Sequence, residues 1–244
     1  MKRKDMKYKK LYFTIILFSL CILISGFNYY YNDGGKDEHV NKPVYLTFDD
    51  GPTYVVTNKL LDILKEHDVK ATFFVVGKEI EDKEDILKRI YDEGHSIGLH
   101  TYSHDFNKIY KSDDIFIEEM LKTQKKVKEI TGYTSNIIRF PGGSSKHLST
   151  ELLEKLHQNN FKIYDWNVNI SDGVNPNLTI DQLASNAKKN SKNYSRLIIL
   201  MHCNFNNKNT AKALPKIIEY YKDLGYEFET ITEDTKEYYY KIKK

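Results

Sequence analysis

Cysteine, proline and tryptophan are scarce in this chain of 244 residues, at two, five and one. Two thiols exclude a disulfide-stapled mini-protein and a zinc site of four thiolates. With 12 Gly, 40% hydrophobic and 29% charged residues, the chain is not collagen-like, low in complexity or wholly disordered. Net charge is scarce too: 37 Lys and Arg against 34 Asp and Glu leave +3. A nucleic-acid binder carries a clear basic footprint, so that class of partner is not expected. The small excess is also confined to one end. Lys2, Arg3, Lys4, Lys7, Lys9 and Lys10 face only Asp5 in residues 1–10, whereas residues 41–244 hold 30 basic and 30 acidic residues.

Leu11 to Phe27 contains no charge over 17 residues. As a helix it spans roughly 25 Å, slightly short of a hydrocarbon core of ~30 Å. Tyr29, Tyr30 and Tyr31 follow and suit a membrane interface. The basic cluster ahead of this run predicts a cytoplasmic segment over 1–10 and a single-pass anchor over 11–31. A polar tether over 32–42 and an exported domain over 43–244 complete this organisation. A cleaved signal peptide is the alternative, and would make the protein secreted. Leu23-Ile24-Ser25-Gly26 is a poor cleavage site, because a bulky residue stands three places before either cut. Cys21 lies in the apolar run, so the expected exported domain holds one thiol, Cys203, and no intrachain bridge.

Beyond residue 42, short apolar runs alternate with segments of helical periodicity. Strands are expected over 43–48, 71–76, 96–99, 136–139, 161–168, 196–201 and 226–231. Helices are expected over 59–66 (capped by Thr57), 83–93, 112–131, 149–159, 179–193 and 210–224. This alternation predicts a parallel α/β sheet of seven strands, open or closed into a barrel. In either form the site is built on the loops that follow the strands.

Those loops carry the chemistry. Asp49 and Asp50 follow the first strand, His100 and His104 the third, Arg139-Phe-Pro-Gly-Gly143 the fourth, Asp172 the fifth and His202 the sixth. One carboxylate with two imidazoles suits a catalytic divalent metal. The spacing of four predicts that one helical turn aims His100 and His104 at a common point. Taken singly, each group has a plainer reading: an acidic turn, a structural salt bridge, a satisfied core histidine. Their collection on one rim favours a site.

Thr47-Phe48-Asp49-Asp50-Gly51-Pro52, His100-Thr101-Tyr102-Ser103-His104, Arg139-Phe140-Pro141-Gly142-Gly143, Asp172 and Leu200-Met201-His202 together resemble the five-motif pattern of the polysaccharide deacetylases. This is the NodB-homology group, carbohydrate esterase family four, and the resemblance runs over about residues 43–231. An anchored, exported member most resembles the peptidoglycan N-acetylglucosamine deacetylases. The resemblance implies a distorted (β/α) barrel with fewer than eight complete units. It implies a divalent metal, usually zinc and sometimes cobalt or nickel, on Asp50, His100 and His104. Asp49 takes the place of the catalytic base. Arg139 corresponds to a residue that holds Asp172, and Asp172 to one that orients His202, the acid for the leaving amine. Leu200 corresponds to a wall for the acetyl methyl, and the Gly142 N–H to an oxyanion donor.

The implied reaction is metal-dependent hydrolysis of the N-acetyl group of an envelope glycan, first of all N-acetylglucosamine of peptidoglycan, releasing acetate. Chitin oligosaccharide, acetylated xylan and poly-N-acetylglucosamine are alternative substrates, and a non-catalytic anchored glycan-binding module is the alternative of another class. No obligate protein partner is implied. Two positions depart from the pattern: Asn169 stands where an acid is frequent, and Gly173 where a Trp is common. The one tryptophan, Trp166, comes earlier.

Overall fold

The strand β1 (Pro43–Gly51) is the axis of the sheet, with an almost unbroken buried run of Val, Leu and Phe along it. Such a run needs cover on both faces, which is the environment of a parallel strand. The computed structural model describes residues 42–189, 191 and 194–242. The expected anchor over 11–31, the basic segment and all but the last residue of the tether lie outside them. Among the described residues no helix is long and apolar enough to cross a membrane.

Seven further strands follow: β2 (Thr72–Val75), β3 (Ser96–Leu99), β4 (Ile137–Ile138), β5 (Lys162–Ile163), β6 (Val168–Asn169), β7 (Leu197–His202) and β8 (Glu227–Glu229). The order is β5-β4-β3-β2-β1-β7-β6, and every pairing is parallel. β8 lies beside only the first residues of β1, Pro43–Tyr45. The connecting helices are α1 (Val56–Glu66), α2 (Glu84–Asp92), the short α3 (Phe106–Ile109), α4 (Asp113–Thr131), α5 (Thr150–Gln158), α6 (Ile180–Lys188) and α7 (Lys208–Asp223).

Local chemistry explains several boundaries. Ser112 Oγ accepts from Ile115 N–H to start α4, and Gly132, at φ 77°, ends it. Thr179 and Gln182 close a reciprocal capping box on α6. Thr57 is not the cap expected for α1. The helix starts one residue earlier, and the Thr57 hydroxyl accepts from Thr53 N–H at 2.8 Å instead.

The fifth expected strand, 161–168, is two strands rather than one. β5 and β6 are the two ends of the path, and no ladder joins them among the described residues. Polar side chains take the chain out of the ladder between them. Asp165 turns inward and accepts from Ser144 N–H and Tyr240 N–H, both at 3.0 Å. Asn167 accepts from Ile198 N–H at 2.9 Å and donates to the Arg196 carbonyl at 2.8 Å. The C-terminal segment, for which the sequence predicts no element, runs beside β5: Tyr238 bridges Tyr164 and its carbonyl accepts from Asp165 N–H at 2.6 Å. The barrel is thus open along one seam, with the tail as one of its walls.

Within β3, Gly98 lies under the Phe74 ring, where an added Cβ would come within 2.4 Å of Cδ1. Gly98→Ala is expected to destabilise the chain by about 1–3 kcal/mol through overpacking. The urea midpoint should fall with an unchanged m-value.

Candidate active site

Two adjacent residues of a regular strand point to opposite faces. Asp49 and Asp50 nevertheless serve one pocket, because β1 is irregular at that point. Asp49 pairs with Phe74 and Gly51 with the next residue, Val75, leaving Asp50 as an extra residue at φ 71°. A bulge of this kind re-aims a side chain at the end of a strand. Asp50 is one of four non-glycine residues near the site with positive φ, along with Thr101, His104 and Ser171. For a β-branched residue such as Thr101 that conformation is strained, and strain of this kind gathers at functional sites.

His100 and His104 do come together, but no helical turn carries them. The 100–104 segment is a loop, and α3 begins only at Phe106. The loop is held from outside by Glu119 of α4. Its carboxylate accepts from Tyr102 N–H at 3.0 Å and Ser103 N–H at 2.6 Å, and from Lys108 Nζ at 2.6 Å. Burial works against the Glu119 charge, but Lys108 and the Ser103 N–H outweigh it and hold the carboxyl below its ordinary range. Glu119 lies in none of the sequence motifs. Its one signal there is an acid on the same helical face as the buried Phe116, Met120 and Thr123.

The ligand atoms of Asp50, His100 and His104 lie within 4.8 Å of one another, a spacing that fits one divalent ion. His104 Nε2 is 3.3 Å and His100 Nε2 3.6 Å from Asp50 Oδ1. His100 Nδ1 donates to the Arg139 carbonyl at 2.9 Å, which leaves Nε2 as the free lone pair. Burial and the neighbouring His104 push the His100 pKa down to about 3, so the ring is neutral, as a metal ligand must be. The donor set therefore suits zinc, cobalt or nickel.

Arg139 is fully buried, and its partner is not the one expected. Nη1 donates to Asp49 Oδ1 at 2.8 Å and to Thr47 Oγ1 at 2.7 Å, and Nε donates to the Tyr164 carbonyl at 2.7 Å. The side chain crosses the barrel interior from the end of β4 to β1, over the Phe74 ring. Asp172, beyond β6, lies on the far side of β1 in the sheet order and is held by other groups. It accepts from His202 N–H at 2.8 Å and from the Thr210 hydroxyl at 2.7 Å, and Asn207 Nδ2 donates to its carbonyl at 3.2 Å. Thr210 and Asn207, at the start of α7, were not legible as site residues.

Asp172 Oδ1 also meets His202 Nδ1 at 2.9 Å. Burial opposes protonation of this ring, but the Asp172 hydrogen bond and charge, with Asp49 and Asp50 beyond, prevail and raise its pKa to about 9. Asp49 feels a related contest. Here burial prevails and raises its pKa, although Arg139 and His202 pull it down.

Asp49, Asp50, His100, His104 and His202 line one cavity of about 340 Å³, together with Phe106, Gly142, Trp166, Asn169, Gly173, Val174 and Leu200. Gly142 adopts φ 75°, and its N–H meets no carbonyl acceptor among the described residues, whereas the Gly143 N–H is taken by Phe140 at 2.8 Å. Gly173 backs directly onto the His202 ring, where an added Cβ would come within 2.4 Å of Cε1. The pocket thus has no side-chain wall at residue 173, and the exposed Val174 stands beside the gap.

A family model for polysaccharide deacetylase matches residues 36–161. A peptidoglycan-N-acetylglucosamine deacetylase of Bacillus cereus is 36% identical over 205 residues, 82% of this chain and 72% of that protein. The crystal structure of the polysaccharide deacetylase Bc1974 from Bacillus cereus matches with a TM-score of 0.74 at 36% identity, covering 80% of this chain and 94% of the other. The catalytic domain of a peptidoglycan N-acetylglucosamine deacetylase from Eubacterium rectale matches with a TM-score of 0.77 at 30% identity, covering 84% and 94%.

Glu119→Gln is expected to loosen the loop between the two histidines and weaken zinc binding by about 10–100-fold, the usual effect of losing an outer support. Competition with a chromophoric chelator measures this directly.

Proposed function

The chain belongs to the polysaccharide deacetylase family, and from that membership we propose that it hydrolyses the N-acetyl group of N-acetylglucosamine in peptidoglycan. One observation carries the reading. The Asp50-His100-His104 cluster lies beside the Arg139–Asp49 pair, and His202, backed by the buried Asp172, lines the same cavity. The activities for which the Bacillus and Eubacterium relatives are named favour this sugar over xylan. A retired, purely glycan-binding fold has no need of these groups together.

A divalent metal on Asp50, His100 and His104 supplies Lewis acidity for the acetyl carbonyl and lowers the pKa of water. The protein groups do the rest. Asp49, whose Oδ1 is engaged by Arg139 Nη1, takes the proton of the attacking water through Oδ2. The Gly142 N–H donates to the oxygen on which negative charge develops. Leu200 lines the pocket for the acetyl methyl. His202 enters as the imidazolium and gives its proton to the departing sugar amine, which cannot leave as a free anion. Acetate and a free-amine glycan are the products.

The proposal extends to location: the 11–31 segment holds the chain in the cell membrane with the catalytic domain outside. Lys2 to Lys10 on its cytoplasmic side support this orientation. Uncleaved mass in the membrane fraction supports the anchor, and a mature chain shortened to the end of that segment replaces it with secretion.

The full chain is expected to release acetate from intact peptidoglycan and from N-acetylglucosamine oligomers, and a chelator is expected to abolish this. Absence of chelator-sensitive release on both would falsify the reading. Asp49→Asn should keep the metal and lose about 10²–10⁴-fold in kcat, as measured by acetate assay alongside elemental analysis. The reaction needs protonated His202, so activity should fall as pH rises towards its pKa of about 9. Asp172→Asn removes the group that raises this pKa and leaves the burial that lowers it. The alkaline limb of the pH–kcat profile should therefore move to lower pH.

A further inference from the structure

We infer that Tyr110 aims the oxyanion donor: its hydroxyl holds the Pro141 carbonyl and so turns the Gly142 N–H of the same peptide into the catalytic cavity. The inference rests on the deacetylase reading above and gives that site a positioning residue that lies in none of the sequence motifs. Tyr110 directly follows α3, and its hydroxyl donates to the Pro141 carbonyl at 2.6 Å.

The geometry of one peptide carries the argument. The Gly143 N–H donates to the Phe140 carbonyl at 2.8 Å and closes a four-residue turn over 140–143. The proline ring fixes a negative φ at the second position of this turn. Gly142, at the third, has φ 75°. Together these define a type II turn. A trans peptide is planar, so its C=O and N–H point in opposite directions. Gly142 lines the catalytic cavity and Tyr110 does not. The carbonyl that Tyr110 holds therefore faces away from the cavity, and the N–H faces into it. Glycine adopts either sign of φ with similar ease, so residue 142 by itself also permits the type I form. That form turns the central peptide over and takes the carbonyl away from Tyr110. The hydroxyl thus selects the form in which the donor is correctly aimed.

The tyrosine ring has little freedom. It stacks on His147 with centroids 3.4 Å and planes 3° apart, and on Phe116 at 5.7 Å. Burial, with Asp165 adding to it, raises the Tyr110 pKa, so the hydroxyl keeps the proton it donates. The far end of the turn is held separately, since the Ser144 N–H donates to the buried Asp165 at 3.0 Å. The turn is gripped at Pro141 and at Ser144, and the Gly142 N–H between them is left for a ligand. A hydrogen bond on a peptide carbonyl also polarises the N–H of that peptide, so Tyr110 strengthens the donor as well as aiming it. Residues 104–110 thereby join His104, of the proposed metal cluster, to the support of the oxyanion donor.

The test is Tyr110→Phe in the full, zinc-loaded chain, which removes the hydroxyl and keeps the stacked ring. Outright loss of an oxyanion donor costs about 10²–10³-fold in kcat, and loss of its support is expected to cost about tenfold, with KM on the N-acetylglucosamine pentamer changed by less than about twofold. Zinc content and thermal midpoint should stay close to those of the wild type. A tetrahedral methylphosphonamidate of glucosamine, which carries an anionic oxygen where charge develops in the reaction, should bind the variant about tenfold more weakly. One readout needs no turnover. Pro141-Gly142 is the one Pro-Gly pair in the sequence. Labelling proline with ¹³C at the carbonyl and glycine with ¹⁵N therefore gives a single carbonyl–amide correlation. Loss of the hydrogen bond should move both of its shifts upfield in Tyr110→Phe. An unmoved correlation overturns the inference, as does an unchanged kcat or a loss carried by KM or zinc content alone. If the wild type releases no acetate, the deacetylase reading fails by itself, and the correlation decides whether Tyr110 aims this peptide. Upfield movement then supports it, and an unmoved signal overturns it.

Discussion

The guanidinium of Arg139 is the constraint on which the rest of this molecule turns. It is a fixed positive charge with no exposure to solvent, held by Asp49, Thr47 and the Tyr164 and Asp165 carbonyls. A buried charge is tolerated only when its hydrogen bonds are satisfied, and removing one partner of such a pair costs about 3–5 kcal/mol. The partners come from β1, from the end of β5 and from the segment where the chain leaves the sheet. A single side chain thus fixes the strand that carries both aspartates, the interior of the barrel and the margin of the seam. It also bears on the chemistry, since burial raises the Asp49 pKa and Arg139 opposes part of that rise.

The site keeps two imidazoles in opposite states within one cavity. His100 is deeply buried, has no carboxylate in hydrogen-bond contact and gives its one N–H to a carbonyl, so it stays neutral. His202 rests on a carboxylate that is itself held by a hydroxyl and an N–H, so it takes a proton. Pairs of titratable groups pushed apart by their surroundings divide acid, base and ligand roles among like residues. Here the division is made by the second layer of contacts, through Asp172 on one side and the Arg139 carbonyl on the other.

Much of this was legible in the sequence, for reasons that differ by residue. β1, β2, β3 and β7 are buried on both faces and announce themselves as apolar runs, and the polar groups just past them fall on one rim. The alternation could not reveal the break between β5 and β6, because Tyr164 and Trp166 read as strand formers. Their departure depends on Asp165 finding Ser144 and Tyr240 far along the chain. The Arg139 partner was misread for a similar reason: an extended side chain reaches across a barrel to a strand that motif order does not suggest. The geometry of the His100–His104 loop followed from Glu119, which neither motif contains. Spacing brought the two histidines to one point as expected and gave the wrong local conformation for them.

β1 begins at Pro43, yet one of its neighbours is β7 and another is β8. The contact between Cys203 and Asp49 joins residues 154 positions apart. A sheet whose central strand comes first and whose neighbours include two of the last has a high contact order, and its closure waits on loop entropy. An emerging chain cannot complete this core until nearly all of it has been made. For the export proposed above, this topology holds back closure of the core until β7 and β8 have emerged.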